Sequence, residues 1–226
     1  MHIALLVALA LGPPALLVVF FYLQDRVEPE PHAHVLGAFA IGVLAVAPAL
    51  VFEQRLEYSL PLLAASPAGD AYVIAALVEE TTKLSLLMAS AYTWAEFDEP
   101  FDGIVYATAV SLGFAATENA LYVLRGGASV AALRALFTVP GHGLCGALAG
   151  YYVGHAKFAR SSVKKPLLII IGLLAATVVH GTFDYVILVT SGWRTLGLLA
   201  LISVAMWVLV LHRMRRARAA SPFLLQ

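Results

Sequence analysis

Charge and cysteine are what this sequence has least of. Charged residues make up only 12% of its 226 positions, about half the usual soluble share. Its 14 Lys+Arg balance its 14 Asp+Glu, so the formal net charge is zero. A chain so sparsely charged has no solubilising surface and no basic face for a nucleic acid. Those scarcities exclude a soluble enzyme, a nucleic-acid binder and a disordered tail. The single cysteine, Cys145, excludes an intrachain disulfide and any Cys-based metal cluster, and it leaves the redox compartment unread. Long polar connectors, internal repeats and low-complexity linkers are missing too. There is no room for a separate soluble domain.

What fills the chain is apolar: 61% of residues are hydrophobic. Runs of about 20 apolar residues are long enough to cross a bilayer as helices. Seven are found, at roughly 3–23, 34–53, 70–94, 102–124, 134–156, 166–190 and 195–212. The expected fold is an all-α, polytopic integral-membrane helix bundle of about seven transmembrane helices, with eight as the alternative count. It forms one domain over 1–226, ending in a short basic tail at 213–226. Gly126-Gly127 and Ser161-Ser162 mark loops. In the first run Ala8-Leu9-Ala10 imitates a signal-peptide cleavage site, but a basic n-region is missing and the run stays apolar through Tyr22. It is expected as a retained helix, kinked at Pro13-Pro14.

The bias of Lys and Arg sets the orientation. With seven crossings, Arg55, Arg125, Arg134 and Arg194 fall on one side. Arg26, Lys157, Arg160, Lys164, Lys165, Arg213, Arg215, Arg216 and Arg218 fall on the other. Four against nine places the C-terminus in the cytoplasm and the N-terminus outside.

Charges inside the apolar runs carry the chemical information. Glu79, Glu80 and Lys83 lie in the third run, Glu118 in the fourth and Asp184 in the sixth, with His142 and His180 in the fifth and sixth. At roughly 2.5–3.5 kcal/mol each, five such charges cost on the order of 12–18 kcal/mol before pairing. Lys83 is i+4 from Glu79 and i+3 from Glu80, so one ammonium reaches both carboxylates. Two adjacent buried carboxylates also suit a general base beside a general acid. The plainer alternative is an inert ion-pair knot that fixes helix packing. His180 and Asp184 share a helix face, where the carboxylate can orient the ring or join it as a ligand. His142 begins an i+4 stripe with Gly146, Gly150 and Gly154, and a second stripe runs Gly103, Ala107, Ser111, Ala115, Asn119. Small-residue stripes let helices approach closely, so both faces should pack inward. Counted from the helix ends, the polar groups fall at one level in the outer half of the membrane, which suggests one site. His2, His32, His34, His155 and His212 lie outside that level and are expected to have no chemical role.

These residues resemble the PrsW family of intramembrane proteases, within the wider superfamily of CPBP proteins and CAAX prenyl endopeptidases. The likeness begins at Asp25-Arg26-Val27-Glu28-Pro29-Glu30-Pro31 and continues at Glu79-Glu80-Thr81-Thr82-Lys83. It goes on through Phe101-Asp102-Gly103-Ile104-Val105-Tyr106, Gly113 to Asn119, Pro140-Gly141-His142, and His180-Gly181-Thr182-Phe183-Asp184. In parts of the superfamily Asn stands where this chain has Asp184. An ionised carboxylate cannot donate to an oxyanion, so orientation or metal ligation is the expected role there.

The resemblance implies a membrane endopeptidase acting on a membrane-spanning protein, such as an anti-sigma factor cut first on its extracytoplasmic side. Two schemes fit the residues. In one, a divalent metal such as zinc is held by His142, His180 and a carboxylate, Glu80 being the first choice, with Glu80 or Glu79 as the base. In the other, Glu79 or Glu80 activates water directly while the histidines stabilise the oxyanion. Lys83, Glu118, Asn119 and Asp184 would support either. Two other classes remain: a proton- or ion-coupled transporter, against which no inverted repeat is found, and a non-catalytic scaffold for transmembrane helices.

Overall fold

The computed structural model describes residues 3–225. Among them it contains helices and turns and no strand. His2 and Gln226 lie outside the described residues, as does the side chain of Arg125. Seven long helical segments are α1 (Ile3–Leu23), α2 (His32–Ser59), α3 (Val78–Ala89), α4 (Asp102–Leu133), α5 (Val139–Lys157), α6 (Lys164–Val189) and α7 (Trp193–Ala219). Helix α1 continues through Pro13-Pro14. Pro29 and Pro31 hold the α1–α2 connector out of helix, with Pro31 extended as the residue before α2. Pro61 ends α2 in the same way. Gly192 turns the chain into α7 at φ 60, a conformation that disfavours any side chain.

The expectation of seven uniform spans meets a more graded picture. Among the described residues, three helices are both long and apolar enough to cross a membrane: α2, α6 and α7. Their outward faces carry exposed apolar residues such as Leu44, Val178 and Leu201. Helices α4 and α5 occupy the middle instead, and α4 is buried without a break from Asp102 to Ala116. A helix surrounded by other helices needs small and polar residues more than lipid-facing ones, so its hydropathy falls.

The small-residue stripes meet each other as expected. A Cβ added at Gly150 would collide with the Gly103 carbonyl, and one at Gly154 with the Pro100 carbonyl. Helices α4 and α5 therefore touch backbone to backbone as an antiparallel pair. The helical assignment runs on past Gly126-Gly127 to Leu133, where a loop was expected. The chain still doubles back between Asn119 and Arg134, which are hydrogen-bonded. Ser161-Ser162 does form a loop.

The C-terminal basic run also departs from the reading as a tail. Arg213 to Arg218 form the last turns of α7, with Met214 and Ala217 fully buried. Arg213 lies over the Tyr151 ring and Arg218 donates to Gln24 at 3.1 Å. Aromatic and amide partners on α5 and the α1 end dock this segment.

Candidate functional site

Two π-helical segments deliver the site. Asp70–Leu77 leads into α3 just before Glu79-Glu80, and Arg134–Thr138 leads into α5 just before His142. Such wide turns re-aim the residues that follow them and are frequent at functional sites. They bring the expected side chains of α3, α4, α5 and α6 together.

Lys83 sits at the centre, 97% buried. Its Nζ donates to Glu80 Oε1 at 2.6 Å and to Glu79 Oε2 at 3.3 Å, matching the i+3 and i+4 spacing. It also stands 3.3 Å from His142 Nδ1 and 4.5 Å from the centroid of the Phe114 ring. The His142 and His180 rings meet edge to face with centroids 4.9 Å apart.

Each histidine is held through one nitrogen by a carboxylate. His142 Nε2 lies 2.8 Å from Glu118 Oε2, and His180 Nδ1 lies 2.9 Å from Glu80 Oε1. An ionised carboxylate only accepts, so these contacts assign the ring protons to His142 Nε2 and His180 Nδ1. That leaves His142 Nδ1 to accept from Lys83 Nζ at 3.3 Å, while His142 Nδ1 and His180 Nε2 lie 4.0 and 3.9 Å from Glu79 Oε2. Asp184 Oδ2 stands 3.4 Å from His180 Nε2 at the edge of the group. A narrow cleft opens here between α5 and α6, lined by Gly141, His142, His180, Phe183 and Asp184. It has room for about one water molecule.

The geometry tests the fit of a metal. Glu79, His142 and His180 each offer a ligand atom within 4.8 Å of the others, and all three are buried. Two neutral imidazoles and a carboxylate suit zinc, and imidazoles held by outer carboxylates are the usual support of such a site. These residues fit a zinc-class cation. The carboxylate in the group is Glu79, where Glu80 was the first choice. Glu80 is turned to Lys83 and to the far nitrogen of His180, because one residue rotates the side chain about 100° around the helix.

Two further expectations shift. Asn119 is fully buried and faces away from the cleft, donating to the Ala10 carbonyl at 2.7 Å and accepting from Arg134 Nε at 3.0 Å. It positions Arg134 and α1. Arg134, counted above as a connector charge, is buried and pairs with Glu118 at 3.0 Å. Its place at the edge of an apolar run made it look inexpensive. Glu53 of α2 also stands near Glu79 and Glu118, a neighbour that its position at the end of a run did not reveal. His155 is elsewhere, on the Tyr151 ring, with Nδ1 2.8 Å from the Tyr151 carbonyl.

Outside the membrane helices, a group of carboxyls near the α1–α2 connector is displaced as well. Burial, reinforced by the charges of Glu99 and Glu30, pushes the Asp25 carboxyl up to about 8. Burial likewise pushes Glu30 up to about 7, against the pull of its hydrogen bond from Tyr106.

A helical membrane bundle that gathers two histidines and several glutamates beside a small cleft is the form of an intramembrane hydrolase. The profile of the PrsW family intramembrane metalloprotease matches residues 30–212. The chain belongs to that family and is a membrane protease. It is 37% identical to Protease PrsW of Geobacillus kaustophilus (strain HTA426), over 94% of this chain and 92% of the relative. It is 32% identical to Protease PrsW of Bacillus subtilis (strain 168), over 96% and 97%. No solved structure matches it. Membership in a protease family does not favour the transporter or scaffold readings.

Proposed function

We propose that this protease hydrolyses a peptide bond of a membrane-spanning protein near the extracytoplasmic leaflet, at the cleft between α5 and α6. The observation that carries the reading is the inward group of Glu79, His142 and His180. A helix-anchored regulator such as an anti-sigma factor is the substrate class that the family likeness suggests. With Arg134 drawn into the site, the remaining connector charges on a seven-crossing count, three against nine, support an external N-terminus and a cytoplasmic C-terminus.

In this mechanism Glu79, His142 and His180 would hold the metal. When bound, a zinc-class ion supplies Lewis-acid polarisation of water and of the scissile carbonyl. The protein's own groups do the rest. Glu118 and Glu80 accept the outer N–H of His142 and His180 and so fix the orientation of both rings, while Lys83 stands 3.3 Å from the other nitrogen of His142. Lys83 neutralises Glu80, so that carboxylate is committed to His180 and is not a free base. Asp184 lines the cleft and, among the described residues, meets no Lys or Arg within 4.0 Å. It takes the proton from the attacking water at an Oδ atom. It then returns that proton to the leaving amine nitrogen as the C–N bond breaks, so water is added across the bond with no net proton change.

The test is cleavage in liposomes of a panel of single-pass proteins, read by mass spectrometry for wild type, Glu79→Gln and Asp184→Asn. A fragment from wild type alone supports the reading, and its mass locates the cut relative to the outer leaflet. An equal fragment from Glu79→Gln would remove that residue from the chemistry. Loss of cleavage on chelation, restored by zinc, separates the metal scheme from direct activation of water by glutamate.

A further inference from the structure

Two of the sequence segments singled out above take no part in the site: the acidic connector around Asp25 to Pro31, and Phe101-Asp102 at the start of α4. The fold brings them together. Asp25, Glu30, Glu99 and Asp102 are 4%, 1%, 0% and 0% exposed. One oxygen from each of Asp25, Glu99 and Asp102 lies within 4.8 Å of the others. Glu30 joins them on α4 by accepting from the Tyr106 hydroxyl.

Few of these oxygens have partners. Asp102 Oδ2 accepts the backbone N–H of Asp98 and Glu99, at 2.8 and 2.7 Å. Both oxygens of Asp25, both of Glu99, Asp102 Oδ1 and Glu30 Oε1 are buried without a hydrogen bond. Among the described residues, no Lys, Arg or His nitrogen comes within 4.0 Å of any of the four carboxyls. The nearby cations make their contacts with other groups: Arg218 donates through one Nη to Gln24 and leaves its buried Nε without a partner, and Lys157 donates to the Tyr92 carbonyl. Phe97, Phe101 and Tyr106 of the same segment are buried as well. One unpaired buried carboxylate is strongly unfavourable, and four side by side repel one another unless something positive sits among them.

We propose that this cluster is a second, structural cation site, built for a hard divalent ion of the calcium and magnesium class. Asp25, Glu99 and Asp102 are its ligands, and Glu30 completes the acidic wall. The donor set is all oxygen, with no imidazole or thiolate, which separates it from the zinc-type set around Glu79. Asp102 and Glu118 are 118 − 102, about 16, residues apart on α4, roughly 24 Å at ~1.5 Å per residue. The two sites are therefore independent. A bound ion would tie the α1–α2 connector to the start of α4.

The full-length protein in detergent, stripped of divalent ions by chelation and desalting, provides the test. The Glu79→Gln background removes a ligand of the other site. Binding of radioactive calcium, and its competition by magnesium, is measured by equilibrium dialysis, and thermal unfolding is followed in parallel. About one calcium or magnesium ion should bind per chain, raising Tm by roughly 5–10 °C at ~100 times the dissociation constant. Zinc at equal concentration should give a smaller rise. Both signals should vanish in Glu99→Gln and in Asp25→Asn. No binding of either ion by the folded Glu79→Gln protein overturns the proposal, as does undiminished binding in the two acidic-site variants. A Tm indifferent to divalent ions that rises when Glu99 is neutralised would also overturn it, because protons would then hold the carboxyls together.

Discussion

Helix α4 carries a polar cluster towards each end, and the two follow opposite rules. Around Glu118 each carboxylate meets a cation or a ring nitrogen: Glu118 has Arg134 and His142, Glu80 has Lys83 and His180, and Asp184 has His180. Around Asp102 the carboxylates meet one another, and most of their oxygens meet nothing. Carboxylates set against one another stay ionised only where a cation completes them, and otherwise take up protons. The first cluster is self-sufficient, with both histidines and Asp184 at the wall of a cleft. The second is complete only with something added.

Breaking the self-sufficient end should have the largest effect. Glu79→Gln or His180→Ala should lower cleavage by on the order of 10⁴-fold with the helical circular dichroism intact, since each removes a member of the central group. Residual activity above a tenth of wild type would show that the reacting water is held elsewhere. Glu118→Gln keeps the shape but weakens the support of His142. It should cost roughly 10–100-fold in activity and in zinc affinity together. A loss of activity with unchanged zinc affinity would give Glu118 a direct part in the chemistry. Between the clusters, Gly150→Ala should destabilise the protein by about 1–3 kcal/mol, because the added methyl group meets the Gly103 carbonyl. Thermal unfolding in detergent checks it, and an unchanged Tm would mean the helices part easily. His155→Ala belongs to neither cluster and should change activity by less than about twofold. A folded but inactive His155 variant would place the reactive histidine wrongly.

The same contrast explains what could be read from the sequence. Glu79, Glu80, Lys83, His142 and His180 stand out because they interrupt apolar runs, where each charge is costly, and the fold does gather them. The choice between Glu79 and Glu80 was not legible. It depends on how α3 is rotated against α6, which the π segment Asp70–Leu77 sets and no local propensity signals. Arg134 and Asn119 were misplaced for a related reason, since a residue near a helix end looks solvated until its neighbours are known. The acidic cluster was harder still. Its members sit in connectors and at a helix start, where charge is unremarkable, and Asp25 and Asp102 meet only through the long-range packing of α1 and α2 on α4. Regular helix boundaries followed from proline and apolar length. The unequal exposure of the helices did not, because central and peripheral helices differ in neighbours more than in composition.

The glycine seam between α4 and α5 has a mechanical consequence. Where two backbones touch, no side chain remains to rotate out of the way, so the pair behaves as a stiff spar. The cleft lies on the other flank of α5, where α6 closes it with Phe183 and Ile187. Under the proposed function a transmembrane substrate would reach the cleft along α6, past the exposed Ile187 that lines it. The spar then serves as the anvil against which the incoming helix is pressed.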